Sequence, residues 1–243
     1  MPSTVVHVAL AGLVGTALLA DHFDWKAVVV VMAAVALVDF DVFLGFWIAG
    51  AHRAAFHTLL LPFLAGVALW WDSTRRDRSL LRSRWGARGV RVAWVSVFAV
   101  VFAGIGLDAF FNGANLFYPL HDRFYTFSGK VFYSTEEGFV QTLVNVDFGA
   151  LADAVLPDKT GGAGADAGSG GASGGSTGGS GGESDTARTT ENTHYSTGID
   201  PTKGAESDSV ERLFPIAYTG ERALLALTGY SVVGLRVWME RRE

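Results

Sequence analysis

The sequence has no cysteine, and only 6 of its 243 residues are proline. Without thiols the chain forms no disulfide, thiolate metal ligand or iron–sulfur cluster, so any bound metal must be held by nitrogen and oxygen atoms. The 30 glycines cluster without a strict third-residue period, which excludes collagen. Positive charge is also scarce, because the net charge at pH 7 is −5. We therefore expect no nucleic acid partner, since binding phosphates needs a concentrated basic surface.

Apolar residues, in contrast, make up 49% of the chain and occur in long runs. Each run is about as long as a helix needs to cross the roughly 30 Å hydrocarbon core of a bilayer. This pattern excludes an ordinary soluble domain and predicts an all-α membrane protein, a bundle of about five transmembrane helices. A cleaved signal peptide is the alternative for the first run, but no Lys or Arg precedes it. The predicted spans are residues 4–20, 25–43, 54–71, 90–111 and 223–238.

The positions of the arginines predict the orientation. Seven arginines lie from Arg75 to Arg91, around the connection of the third and fourth spans. Cytoplasmic connections of membrane proteins carry an excess of Lys and Arg, so this connection is expected in the cytoplasm. The amino terminus and residues 112–222 then lie outside, and the carboxyl terminus is cytoplasmic. The sequence thus predicts a multi-pass protein of the cell membrane.

The outer segment changes composition along its length. Residues 112–157 mix aromatic and polar side chains, which predicts an ordered outer loop with a hairpin around Ser128–Lys130. Residues 158–208 are rich in Gly, Ser, Thr and Asp and have too little apolar surface to offset the entropy of ordering. We therefore predict a membrane domain over 1–157, a disordered tether over 158–208, and a last helix with its tail over 209–243.

Six ionisable side chains lie within or at the ends of the predicted spans. Such groups are costly in a bilayer and usually face the bundle interior or a water-filled cavity, so each is a candidate functional residue. With the predicted orientation, all six lie at one depth near the outer surface. They are His7, Asp39, Asp41, His52, His57 and Asp108.

Imidazole and carboxylate groups are typical ligands of a divalent metal, here zinc first, with manganese or iron as alternatives. On an intact helix Asp39 and Asp41 point about 200° apart, so both face one site only if the helix loosens between them. We expect His52 in a loop and His57 in the first turn of the next helix. Arg53 can bind an anionic substrate group or pair with a carboxylate. The alternative is a His/Asp network without metal that only fixes helix packing.

Five segments carry a resemblance to a known family, and they are His7, Asp39–Asp41, His52–Thr58, Gly106–Phe111 and Leu116–Leu120. In order and spacing they resemble the YdjM-like family of membrane-bound proteins, described as metal-dependent hydrolases and as LexA-binding inner-membrane proteins. That family has an early His, a D-x-D, an H-R-x-x-x-H-S/T block, and an H-x-x-x-D before an aromatic–proline turn. The resemblance covers about residues 1–127, and the H-R-x-x-x-H block is its most specific part.

The resemblance implies a set of metal ligands, with Asp39 as a further ligand or a neighbour of the ligands. Two positions depart from the family pattern. Gly104 stands where the family has a histidine, and Val38 stands where it has a proline. Without that histidine the chain could keep a four- or five-ligand site, have a weaker second metal position, or have lost catalysis. The implied ligands are His7, Asp41, His52, His57 and Asp108.

These features predict a membrane-bound metal-dependent hydrolase that acts on a lipid-like ester or phosphoester among the membrane lipids. Asp39 would accept the proton of a metal-bound water, and Arg53 would hold an anionic head group. A non-enzymatic membrane scaffold or regulatory protein is one alternative, and a metal-ion transporter is another. A transporter needs polar residues that continue across the membrane, whereas the spans below Asp39 and Asp108 are almost wholly apolar.

Overall fold

The computed structural model describes residues 3–48, 50–75, 79–127, 129, 131–135, 138–141, 188–202 and 212–242. This part of the chain is mostly helical, with five longer helices joined by short turns. Two compact units are present, one formed by residues 1–128 and 187–243 and the other by residues 129–186. The first unit contains all five longer helices and all six ionisable candidates.

The first two long helices are joined by a short turn. Helix α1 spans Thr4–Leu19 and helix α2 spans Trp25–Ala36. The Asp24 side chain caps α2 by accepting a hydrogen bond from the Ala27 amide at 2.6 Å. After α2 the chain tightens into a 3-10 turn over Leu37–Phe40 and then a one-turn helix α3. The 3-10 turn interrupts the regular α-helix, as is required if Asp39 and Asp41 are to face one site.

Helix α3 spans Asp41–Leu44 and helix α4 spans Leu60–Thr74, with non-helical backbone between them. The predicted helix start at residue 54 and the placement of His57 on a helical turn are therefore wrong. The backbone amides of Arg53 and Phe56 donate hydrogen bonds to the Asp41 carboxylate instead of to helical carbonyl groups, which explains why no helix forms here. Arg53 also has a φ of +65°, a left-handed conformation that stops helix propagation.

The fourth long helix begins earlier than the predicted span. Helix α5 covers Leu80–Ala99, bends at Gly86, and continues through a π-helical turn over Val100–Gly106. It then runs into helix α6 at Leu107–Phe111. The Ser79 side chain caps α5 by accepting from the Arg82 amide, which explains its early start. Helix α7 spans Gly220–Glu240.

Among the described residues, three helical segments are long and apolar enough to cross a membrane, and they are Thr4–His22, Trp25–Leu44 and Leu80–Phe111. Helix α4 has 15 residues, fewer than a typical spanning helix needs. Helix α7 has 21 residues, but charged residues lie in its first and last turns. Membrane crossing by α4 and α7 stays a prediction.

Helix α1 lies at the centre of the first unit and packs against α2, α5 and α7. Small residues on α1 permit this close packing, as the composition of the first run indicates. Gly15 faces Val28 and Val31 of α2, and Gly229 of α7 lies against the Ala9 backbone. The core between α1, α2 and α5 consists of alanine, leucine and valine side chains.

The second unit contains an antiparallel hairpin of strand β1, Val131–Ser134, and strand β2, Gly138–Gln141. Ser134 pairs with Gly138 and Val131 pairs with Gln141. The predicted turn around Ser128–Lys130 is therefore misplaced, because these residues precede the first strand of the hairpin.

The predicted tether is ordered over residues 188–202, so this part of the prediction is wrong. The Phe124 amide donates to the Arg188 carbonyl at 2.8 Å, and Tyr195 is buried. This stretch contains one glycine, whereas the run before it is dominated by glycine and serine. Residues 158–187 and 203–208 of the predicted tether lie outside the described residues.

Candidate metal centre

Asp41 connects both histidines of the loop before α4. It is fully buried, and its Oδ1 accepts from His52 Nδ1 at 2.8 Å while its Oδ2 accepts from His57 Nδ1 at 2.8 Å. Oδ2 also accepts from the Arg53 amide at 2.9 Å. Each imidazole therefore carries its proton on Nδ1, and each neutral ring has its lone pair on Nε2.

His7 has the same tautomer for a different reason. Its Nδ1 lies 2.6 Å from the Ala103 carbonyl oxygen, which can only accept a hydrogen bond. Ala103 belongs to the π-helical turn, an irregularity that is frequent at functional sites. The Nε2 atom of His7 lies 3.6 Å from Asp108 Oδ1.

Two histidine Nε2 atoms and two carboxylates meet at one buried point. His57 Nε2 lies 2.9 Å from Asp108 Oδ2 and 3.5 Å from Asp39 Oδ1. Ligand atoms of His7, Asp39 and Asp108 all lie within 4.8 Å of one another. Among the described residues, His57 Nε2 and Asp108 Oδ1 have no hydrogen-bond partner of good geometry. Lone pairs that converge in this way fit a bound cation.

The charges around this point also fit a divalent ion. Asp39, Asp41 and Asp108 supply three carboxylates, and the buried guanidinium of Arg53 lies beside them, with NH2 3.1 Å from Asp108 Oδ1. With neutral histidines, two negative charges remain uncompensated. Buried charges are strongly unfavourable unless they are paired or coordinate a metal, so a divalent cation or two imidazolium protons must balance them.

Arg53 is held between the cluster and the chain that returns after the second unit. It is 2% exposed, and its guanidinium carbon lies 4.5 Å from the centre of the Tyr195 ring. The Tyr195 hydroxyl donates to the Asn112 carbonyl at 2.8 Å and accepts from Arg188 at 2.6 Å. Burial raises the pKa of Tyr195 above its ordinary value, so the phenol keeps the proton that it donates.

A cavity of about 190 Å³ lies beside this cluster. Asp39, Arg53 and Asp108 line it on one side, and residues 196–199 line it on another. His52 also lines it, and Ser3 and Thr4 at the start of α1 complete its polar part. Three members of the site, Asp39, Arg53 and Asp108, therefore adjoin a cavity that can hold a small ligand.

All seven residues selected from the sequence lie in or beside this site. The cluster with metal-ligand spacing is His7, Asp39 and Asp108, and Asp39 is thus as close to the centre as the predicted ligands. His57 adjoins this cluster through Nε2. Asp41 lies one hydrogen bond beyond His57 and His52 lies two, and their direct ligation of a metal stays a prediction.

Gly104, at the position of the missing family histidine, is buried against α2. A Cβ atom there would lie 3.6 Å from both Val35 Cγ1 and Val38 Cγ2. The space that an imidazole would need is filled by these two valines. The departures at Gly104 and Val38 are thus adjacent in the fold and form one apolar contact.

Sequence reasoning missed Tyr195, Ser196 and Thr197, because a glycine-rich composition was extended too far along the chain. The signal that could have found them is the loss of glycine after Ala187 together with the aromatic ring at Tyr195. It also missed Ser3 and Thr4, which are ordinary residues at the start of a helix.

Residues 1–164 match the family described as YdjM inner membrane protein. The chain belongs to this family. The match covers α1 to α6 and all the clustered His and Asp residues, and it confirms the resemblance of the sequence motifs. No curated protein and no solved structure gives a match to this YdjM family member.

Proposed function

We propose that the protein is a membrane-bound, metal-dependent hydrolase that acts on a lipid-like ester or phosphoester. The observation that carries the proposal is the convergence of histidine Nε2 atoms and carboxylates on one buried point beside a cavity. In this proposal His7, His57 and Asp108 hold one divalent ion, zinc first among the candidates, and Asp39 lies beside that ion. Asp41 holds His52 and His57 in the tautomer that this requires.

In the proposed reaction the metal ion and the side chains have different roles. When bound, a divalent ion lowers the pKa of a coordinated water toward neutrality and polarises the scissile oxygen. Asp39 is 16% exposed, more than Asp41 or Asp108, and it lines the cavity. It is therefore the carboxylate placed to accept a proton from water in the cavity. Arg53, on the same wall, is placed to hold an anionic group.

The orientation is part of the proposal. Five helices would cross the membrane with the amino terminus outside and the carboxyl terminus in the cytoplasm, as the arginines around the α4–α5 connection indicate. The site at the start of α1 and the end of α5 would then lie near the outer surface, where lipid head groups are accessible.

The core below the cluster favours a hydrolase over a metal-ion transporter. The buried hydrophobic cluster of α1, α2 and α5 consists of alanine, leucine and valine, and the buried hydroxyls of Thr16 and Ser96 are the polar side-chain atoms without a hydrogen-bond partner recorded within α1 and α5 in the described part of the chain. An ion path would need polar groups on this route. A non-enzymatic scaffold with protonated histidines is the competing function, and it predicts a folded protein without metal.

Turnover with and without metal tests the proposal. Purified full-length protein would be treated with a chelator, reloaded with zinc, manganese or iron, and assayed on lipid phosphoesters and carboxylic esters. We expect hydrolysis that the chelator abolishes and one metal restores, and a fall in kcat of about 10²-fold or more for Asp39→Asn. Asp24→Asn, at the cap of α2, is the matched control. Absence of turnover with every metal and substrate class would contradict the proposal.

A further inference from the structure

Arg53 has hydrogen-bonding capacity that the described residues do not use. Its NH2 faces Asp108, but Nε and NH1 are buried and have no partner in the described part of the chain. The side chain cannot move freely, because its guanidinium stacks on Tyr195 and its backbone amide is bound by Asp41. Arg53 lines the cavity and is 2% exposed, so a buried positive charge that is held in place lies beside any ligand there.

The start of α1 lies on the same cavity and is independent of Arg53. Ser3, Thr4 and Val5 line it, and α1 is 16 residues long. Ser3 has no side-chain capping bond to the first turn of α1, because its hydroxyl donates to the Ile216 carbonyl instead. The Val6 and His7 amides donate to the Ser3 carbonyl, and the amides of Thr4 and Val5, at the positive end of the helix dipole, lack a side-chain cap from Ser3. Helix starts of this kind bind phosphate and other anions.

We infer that this cavity seats the phosphoryl group of a phosphoester, with Arg53 and the start of α1 as its donors. The inference rests on the proposed function, since it names the chemical group that the same site takes. An arginine fork and a helix start both favour an anion with several oxygens, whereas a carboxylic ester is neutral. The phosphoryl group then lies next to His7, Asp39 and Asp108, where the ion is proposed.

The size and lining of the cavity limit the rest of the substrate. Its volume of about 190 Å³ is below the range of about 300–1,000 Å³ of pockets that enclose a whole drug-sized ligand. It therefore accommodates a head group, and any long chain must lie outside it. Leu213, Phe214 and Pro215 form an apolar wall that an adjoining hydrocarbon part can contact.

Two carboxylates on the cavity wall make anion binding depend on the cation. Asp39 and Asp108 repel a phosphoryl group unless a positive charge lies between them and it. Phosphate affinity should thus require both the metal and Arg53. This double requirement separates a built phosphoryl site from nonspecific attraction to a basic surface.

Inorganic phosphate is the probe, titrated calorimetrically into detergent-purified full-length protein whose metal content is measured in the same sample. Loss of hydrogen bonds from a charged group predicts that Arg53→Gln binds phosphate about 10- to 100-fold more weakly than wild type. Arg222→Gln is the matched control, because Arg222 also stacks on an aromatic ring, that of Phe111, but does not line the cavity. Metal-free wild type should also bind more weakly.

Ser196 provides a second test if Arg53→Gln does not fold. Ser196 is exposed and lines the cavity, so Ser196→Asp adds a negative charge without disturbing the core. We expect Ser196→Asp to weaken phosphate binding and Ser196→Asn, of nearly the same size, to preserve it. Equal affinity of the two variants would overturn the inference.

A competition experiment distinguishes a lipid source of the phosphoryl group from a soluble one. Nanodiscs with phosphatidic acid should displace phosphate if the group belongs to a lipid, and glycerol phosphate should do so if it is soluble. Phosphate binding unchanged in a folded Arg53→Gln, or no binding to metal-loaded wild type, would overturn the inference while leaving a metal site intact. Arg53-dependent phosphate binding by a protein that never holds metal would instead contradict the proposed function.

Discussion

The Asp41 carboxylate accepts four hydrogen bonds from the loop before α4. It binds two imidazoles and two backbone amides of the same loop, and no part of it is exposed. A carboxylate in this position fixes the tautomer of both rings and the path of the backbone together. Its contribution to the site is therefore geometric as well as electrostatic.

Replacing Asp41 should destabilise the whole first unit. In Asp41→Ala, two imidazole N–H groups and the Arg53 amide lose their acceptor, and removal of one partner of a buried charged network costs about 3–5 kcal/mol. We expect a lower midpoint of thermal unfolding in detergent and loss of bound metal. Asp21→Ala, at an exposed position in the turn after α1, is the control. A midpoint equal to that of wild type would show that the loop does not depend on Asp41.

Tyr195 stacks on the Arg53 guanidinium and makes an edge contact with the His52 ring, and we expect it to position Arg53. Tyr195→Phe keeps the ring but loses two hydrogen bonds, to Asn112 and from Arg188, and should cost about 1–3 kcal/mol of stability. Tyr195→Ala also frees the Arg53 guanidinium. Under the phosphoryl inference, phosphate binding should weaken strongly in Tyr195→Ala and only slightly in Tyr195→Phe. Equal effects of the two variants would contradict a positioning role for the ring.

The helices around the site could be predicted from the sequence where a local run of residues determines the helix. Long apolar runs identified α1, α2 and the last turns of α5, and ionisable residues inside such runs identified the site. The start of α4 was not predictable, because a distant carboxylate, Asp41, draws Arg53 and Phe56 out of the helix. Residues 188–202 escaped prediction because their order depends on contacts with Asp122 and Phe124, far away in sequence.

Asp122 anchors this returning stretch to the first unit. Its carboxylate accepts from the Thr190 amide and hydroxyl and from Asn115 Nδ2. Asp122→Ala should therefore release residues 188–202 and raise the rate of limited proteolysis there about tenfold. Measured beside it, Asp21→Ala should leave the rate unchanged. An Asp122→Ala protein as resistant as wild type would mean that other contacts hold the stretch.

The contact between α1 and α7 includes two glycines without room for a Cβ atom, Gly12 of α1 against Val233 and Gly229 of α7 against Ala9. A Cβ atom at Gly229 would lie 2.5 Å from the Ala9 carbonyl oxygen, whereas one at Gly234 would meet nothing within 4 Å. Gly229→Ala should therefore destabilise the protein by about 1–3 kcal/mol. Gly234→Ala should be neutral or slightly stabilising, because alanine favours helix more than glycine does. Equal unfolding midpoints for the two variants would contradict the observed packing of α7.

At the scale of the whole molecule, the site joins the start of α1, the 3-10 turn after α2, the α3–α4 loop and helix α6. The assembly could be predicted from the sequence because the six ionisable residues were expected at one depth. The cavity could not be predicted, since residues 196–199 and 213–215 complete it from the far end of the chain. The composition of a long window describes residues 196–199 poorly, because the window also contains the glycine-rich run that precedes them.

The absence of cysteine makes the orientation testable with single introduced thiols. Ser83 lies near the arginine-rich start of α5, and Leu120 is 79% exposed in the segment after α6. In intact cells an impermeant maleimide should label Leu120→Cys and should label Ser83→Cys only after permeabilisation. The opposite labelling pattern would show that the site faces the cytoplasm.

Elemental analysis of the purified protein tests the central claim most directly. The account predicts about one divalent ion per chain in wild type. It also predicts loss of most of that ion in the volume-conserving variant Asp108→Asn and retention in Asp24→Asn, each checked for folding by circular dichroism. A folded wild-type protein that holds no metal, or an Asp108→Asn variant that holds as much as wild type, would contradict it.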